Sequence, residues 1–199
     1  MVKRSTVEEE GRQPSSGPGL APYLYLALHA DAPGRAPRRF SLADVETVAI
    51  GRGRAAGPPR AGGRLAIGLE DQRVSTEHAR LERGPDRRWL VRDLGSLNGL
   101  RVNGQPVSRA SLGDGDVLEV GRTFLVFRAA QRAGSDDLEA GGDTPSLQPE
   151  LEIQFTELQA LAGSGVPIVV QGEPGVGKEL VARLAHEHSG RHGALVSVN

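Results

Sequence analysis

The chain has 199 residues, 38% hydrophobic and 25% charged, with a formal net charge of -1 and no cysteine. That length holds one full domain and part of another. The missing cysteines exclude a disulfide framework and thiolate metal sites, and no apolar run approaches the ~20 residues of a membrane span.

Residues 1–21 are expected to form a disordered tail, because Pro14-Ser-Ser-Gly-Pro-Gly19 carries no periodicity. The tail lacks a signal-peptide apolar core, so a cytoplasmic location is expected, with no membrane partner. It also holds Thr6 followed by Glu8, Glu9 and Glu10, a candidate phosphorylation segment able to reach the next domain. From Pro22 to Ala129 short apolar runs recur between turn residues: Tyr23–Leu28, Val45–Gly51, Leu65–Leu69, His78–Arg83, Arg88–Leu94, Asp116–Gly121 and Thr123–Arg128. Strands at this spacing with no helical stretch predict an all-β sandwich over residues 22–129. Val102-Asn103-Gly104-Gln105 predicts a tight hairpin.

Charge is unevenly spread. Residues 21–130 hold 17 Arg against 12 Asp or Glu, a net of +5, while residues 131–165 hold one Arg against seven acids, a net of -6. An Arg-rich domain is therefore followed by an acidic stretch. The surplus fits an anionic partner; it equally fits compositional use of Arg for Lys, since Lys3 and Lys178 are the only lysines.

Three short clusters stand out in the β region: Ile50-Gly51-Arg52, Arg73-Val-Ser75-Thr76-Glu77-His78, and Asp93-Leu-Gly-Ser-Leu-Asn98-Gly99 followed by Val102-Asn103-Gly104. In this order and on this β pattern they resemble the forkhead-associated (FHA) domain, with its Gly-Arg, Ser-x-x-His, Ser-x-Asn-Gly and Val-Asn-Gly. The resemblance implies recognition of phosphothreonine peptides. A phosphate offers close to two negative charges and three acceptor oxygens. Arg52 would give a charge-assisted donor, Ser75 its hydroxyl, Thr76 a further donor, and Asn98 an amide for the peptide backbone. Gly51, His78, Gly99, Asn103 and Gly104 would be architectural. Two positions depart from the family pattern: Leu97 and Leu100 stand where threonines are common. Between the first two clusters, Arg54, Arg60 and Arg64 belong either to a tolerated loop or to a surface that attracts acidic peptides.

Residues 130–149 are Gly-, Asp- and Ser-rich and are expected to be a flexible acidic linker. From Pro149, Leu151, Phe155, Leu158 and Leu161 recur at helical spacing up to Gly163-Ser-Gly165. A strand at Ile168–Val170, a helix from Lys178 to about His188 and a strand at Ala194–Val198 would make a β-α-β opening of a parallel α/β sheet. Gly172-Glu173-Pro174-Gly175-Val176-Gly177-Lys178 has the spacing of a phosphate-binding loop. Its N–H groups and the following helix start favour an anion.

Glu179 occupies the place where such loops usually carry a magnesium-ligating Ser or Thr. With His186-x-x-Ser189-x-Arg191 downstream, this segment is similar to the start of the AAA+ domain of sigma-54-dependent transcription activators, where glutamate after the lysine is usual. Pro174 and Val176 replace that family's Ser and Thr. The resemblance implies ATP as ligand, with Mg2+ only in a longer protein, and sigma-54 RNA polymerase as a partner through regions not in this sequence. It implies no direct DNA contact, and no ATP hydrolysis by these residues alone, since the family's Walker B acids lie further on. The expected whole is an all-β FHA-type sandwich, a linker, and a partial α/β P-loop segment over residues 150–199, the N-terminal piece of a signal-responsive transcription regulator. Its phosphorylated partner would be a Ser/Thr kinase or a kinase substrate. The competing reading is a phosphothreonine-binding adaptor with a vestigial P-loop stub.

Overall fold

The computed structural model describes residues 19–53, 60–132, 137–139 and 146–197. The strands are β1 (Leu20–His29), β2 (Arg38–Ser41), β3 (Thr47–Arg52), β4 (Arg60–Ala61), β5 (Arg64–Leu69), β6 (Ala79–Arg83), β7 (Trp89–Asp93), β8 (Leu100–Val102), β9 (Gln105–Val107), β10 (Arg109–Leu112), β11 (Val117–Val120), β12 (Thr123–Arg132) and β13 (Asp137–Glu139). Two helices follow, α1 (Pro149–Ala162) and α2 (Lys178–His188).

The strands form two packed sheets. One runs β13-β2-β1-β12-β11-β8-β9 and the other β10-β7-β6-β3-β5-β4. All the described pairings are antiparallel except β3 with β5. Alternate residues of each inner face interlock, as the period-2 geometry of a half-buried strand requires. Val48, Ile50, Leu65, Ile67, Leu81 and Val91 meet Leu24, Phe40, Leu118, Leu125 and Phe127 in a single buried cluster. Trp89 and Phe127 stack at a 58° tilt with ring centroids 6.5 Å apart. Each such side chain contributes roughly 1.5–3 kcal/mol through removal from water. The hairpin between β8 and β9 turns at Asn103 (φ 51°) and Gly104 (φ 77°), as the sequence predicts.

Two expectations need correction. In the 130–149 stretch, read from composition as a flexible linker, β12 continues to Arg132 and β13 pairs with β2, so its described parts belong to the sheet. The reason is edge pairing reinforced by charge: Asp137 accepts the Ser41 N–H (3.2 Å) and bonds the Arg60 guanidinium (2.7 Å). The stretches around Ile168–Val170 and Ala194–Ser197 are not ladder strands. A strand needs a neighbour to satisfy its N–H and C=O groups, and among the described residues these segments have none. The two leucines that stand where threonines are common differ in setting: Leu100 is 1% exposed in the core, whereas Leu97 is 91% exposed.

Candidate functional site

The end of β3 is fastened to the loop between β5 and β6. The Arg52 N–H donates to Ser75 O (2.9 Å) and the His78 N–H to Ile50 O (3.0 Å). Gly51 is required by this approach: a Cβ there would lie 1.9 Å from the Thr76 carbonyl oxygen. His78 is fully buried and ties three segments together. Its Nδ1 accepts the Ser75 N–H (3.1 Å), and its Nε2 bonds Gly99 O (3.0 Å). The two bonds together require the hydrogen on Nε2.

The loop after β7 closes the other side. The Ser75 hydroxyl oxygen accepts the Leu97 N–H (3.1 Å), which leaves the hydroxyl hydrogen free to donate to a ligand. The Asn98 Nδ2 donates to Arg73 O (2.7 Å), so one of its amide hydrogens braces the loops and the rest of the exposed amide faces outward. Three loops from distant parts of the chain thus bring Arg52, Ser75, Thr76 and Asn98 to one rim. Arg52 and Thr76 are exposed, and Arg52 makes no ion pair with the described residues. Asn103 braces the hairpin, its Oδ1 accepting the Val117 N–H (2.9 Å) and its Nδ2 donating to Asp116 (2.8 Å).

Of the three arginines in the loop after Arg52, Arg54 lies outside the described residues, as does Thr6. Arg60 is bound to Asp137, and Arg64 is exposed where β5 begins, at the opposite end of the β3–β5 pair from Arg52. The described arginines of that loop therefore do not extend this rim.

Sequence reading missed the supports of this rim. Asp71, nearly buried, accepts the N–H groups of Arg73 (2.8 Å) and Arg122 (2.6 Å) and the Thr123 hydroxyl (3.2 Å). Burial alone would raise its pKa, but these donors outweigh it and hold the carboxyl below the usual range. Thr123 in turn bonds His29 Nδ1 (3.1 Å). Burial, helped by Arg35, lowers the His29 pKa. Asp93 accepts the Gly95 (3.1 Å) and Ser96 (3.2 Å) N–H groups and shapes the turn before Leu97. An Asp two residues ahead of a turn was the available signal at both places.

The second motif is local. Gly175 (φ 82°) and Gly177 (φ 92°) take conformations that side chains resist, and α2 begins at Lys178. The Lys178 ammonium donates to Gly172 O (2.9 Å) and Glu173 O (2.7 Å), folding over the loop. Val176 stands 60% exposed, and Pro174 and Glu179 are exposed as well. Among the described residues no cluster of His, Cys, Asp or Glu is arranged to hold a metal ion.

Comparison with known families agrees with these two constellations. Residues 48–121 match the FHA domain, and residues 146–199 match the Sigma-54 interaction domain. The chain therefore joins an FHA domain to a stretch of a Sigma-54 interaction domain. The glycogen accumulation regulator GarA of Mycobacterium tuberculosis is 44% identical over 78 residues, covering 38% of this chain and 46% of that protein. The oxoglutarate dehydrogenase inhibitor of Corynebacterium jeikeium is 40% identical over 89 residues, covering 45% of this chain and 54% of that one. The chain thus spans about half the length of the curated relatives it matches. Among solved structures, an FHA domain studied for phosphothreonine-dependent interactions is 30% identical, with a TM-score of 0.40 over 54% of this chain and 95% of that one. The FhaA FHA domain in complex with an intracellular domain is 31% identical, with a TM-score of 0.40 over 54% and 99%. No helix among the described residues is long and apolar enough to cross a membrane.

Proposed function

We propose that the protein is a signal-responsive regulator of sigma-54-dependent transcription, in which the FHA domain binds phosphothreonine peptides and the P-loop binds the phosphates of ATP. The observation that carries the first half is the exposed Arg52, whose N–H is bonded to the Ser75 carbonyl, on loops pinned by buried His78. A dianionic phosphate would take Arg52 as charge-assisted donor and the hydroxyl hydrogen of Ser75 as a second. Thr76 would add a donor, and Asn98 would hold the flanking peptide backbone. The partner is a phosphothreonine-bearing kinase or kinase substrate, met in the cytoplasm.

The residues of the second motif fit a polyphosphate. Lys178 needs only to leave the Gly172 and Glu173 carbonyls to meet one, and the N–H groups of residues 175–179 line a helix start. Bound ATP would supply the phosphoryl group whose hydrolysis such modules use. The contribution of this chain is to hold the phosphates with Lys178 and the loop backbone.

The test is titration of a degenerate phosphothreonine peptide library, with its unphosphorylated and phosphoserine counterparts, against the chain and Arg52→Ala. Wild type should select phosphothreonine. Arg52→Ala should lose about 10- to 150-fold in affinity, the worth of a charged hydrogen bond of roughly 1.5–3 kcal/mol. Ser75→Ala should lose less. Equal binding of phosphorylated and unphosphorylated peptides overturns the reading.

A further inference from the structure

β1 carries a feature that a half-buried strand lacks. Its inward residues Leu24 and Leu26 are buried, yet Tyr23, which points to the opposite face, is only 1% exposed. Register places Tyr23 opposite Ser41 and Arg128, and Tyr25 opposite Arg39 and Val126, so these residues share the outer face of the seven-stranded sheet. Arg39 there is 0% exposed, an extreme burial for a guanidinium. It bonds Leu147 O (2.8 Å) and the Glu152 carboxylate (2.6 Å) and lies over the Tyr23 ring at 5.2 Å. Pro149, which opens α1, is buried as well. Burial is also the main reason the Tyr25 phenol is pushed up to about 12, with Glu150 of α1 adding to the rise. Beside this, β13 lengthens the sheet at β2, and Asp137 holds Arg60.

We infer that the outer face of the seven-stranded sheet is a docking surface for the acidic segment and α1 of the same chain, with Arg39 as its pin, so that the P-loop segment is held to the FHA domain in a fixed orientation instead of hanging on a loose tether. The occupant follows from chemistry already described. The surplus of +5 on the domain and the deficit of -6 after it are complementary charges within one chain. The continuous apolar run Tyr23–Leu26, none of it exposed, is what a strand covered on both faces shows. A buried guanidinium is stable only when paired and hydrogen-bonded, and Glu152 with Leu147 O supplies that. None of Arg39, Arg60, Asp137 and Glu152 belongs to the Arg52–Ser75 rim, and the docked face lies on the other sheet. Docking and phosphopeptide binding can therefore coexist, and the inference stands whether or not that rim binds phosphopeptides.

The chain has no cysteine, so nitroxides can be placed cleanly at Ser108→Cys in the FHA domain and Glu157→Cys on α1, both exposed positions. Pulsed electron resonance on the full chain should give one narrow distance. Glu152→Lys, and separately Asp137→Lys, should broaden it. Glu152→Lys should also speed proteolysis between residues 129 and 149 on the order of tenfold or more, because it leaves the buried Arg39 charge unpaired, and Asp137→Lys should speed it less, because Arg60 is only partly buried. The melting transition of each variant is read alongside, to confirm that the sandwich is folded. A broad distribution in the unsubstituted chain overturns the inference. So does a narrow one that survives both charge reversals.

Discussion

The sandwich and the P-loop segment carry equally readable motifs but build them differently. At the FHA rim, groups far apart in sequence hold one another: Ser75 with Leu97, Asn98 with Arg73, and His78 with Gly99, all beside side chains exposed by 1% or less. In the P-loop segment, Lys178 bonds carbonyls five and six residues back, α2 buries no residue, and Val169 and Val196 are each 78% exposed. One site is made by tertiary structure and the other by local backbone. Damage to the sandwich should therefore destroy its site, whereas damage to the P-loop should stay where it is made.

The strongest way to break this comparison is Gly51→Ala. The added methyl would meet the Thr76 carbonyl at 1.9 Å, which forces β3 and the Ser75–Thr76 loop apart. We expect a loss of roughly 3 kcal/mol or more, a fall in Tm of more than about 10 °C, and loss of phosphopeptide binding. Gly113→Ala is the control, since a Cβ there meets only the Asp116 carboxylate at 3.7 Å. It should move Tm by no more than about 2–4 °C. Similar melting of the two variants in thermal denaturation would mean the close approach at Gly51 is not structural.

Asp71→Asn is next. The amide replaces an anion that accepts three hydrogen bonds, and its NH2 group would face a donor. We expect a loss of roughly 1.5–3 kcal/mol, the worth of a charged hydrogen bond. The pH dependence sharpens it. The folded-state pKa of Asp71 is lowered, so the stability it contributes is present above its unfolded value of about 3.9 and is lost as pH falls through the folded value. Wild type should therefore lose stability on acidification below about pH 4 more steeply than Asp71→Asn, as read by urea unfolding at stepped pH. Parallel curves would remove Asp71 from the account.

The same contrast explains what the sequence could reveal. Seven strands of the sandwich were legible because apolar runs are bounded by turn residues, and both helices because Leu151, Phe155, Leu158 and Leu161 keep helical spacing and Gly177-Lys178 marks a helix start. The short strands β2, β4 and β13 were not legible: they are two to four residues long, β13 pairs with β2 across nearly a hundred residues, and Asp137 meets Arg60 across distant sequence. At the rim, Arg52, Ser75 and Asn98 could be named from motif order. Asp71 could not, because its three partners lie two, 51 and 52 residues away and only the fold joins them. The apolar strands expected at 168–170 and over the described part of 194–198, residues 194–197, failed for the opposite reason. Their composition suits a buried parallel sheet, yet composition cannot supply the neighbour that makes a segment a strand.

The smallest effect is expected from Lys178→Ala, and its smallness is informative. The ammonium bonds two carbonyls of its own loop, in an exposed setting where such bonds contribute little. No residue of the sandwich touches it through a described hydrogen bond or ion pair. The melting transition of the sandwich should move by less than about 0.5 kcal/mol, the range of a surface substitution, and phosphopeptide affinity should not change. Only one property should respond. ATP should slow hydrogen exchange of the amides between Gly172 and Val181 in the unsubstituted chain and fail to do so in Lys178→Ala. A shift of the sandwich transition comparable to that of Asp71→Asn would show that the two sites are built as one, and the contrast between tertiary and local construction would be lost.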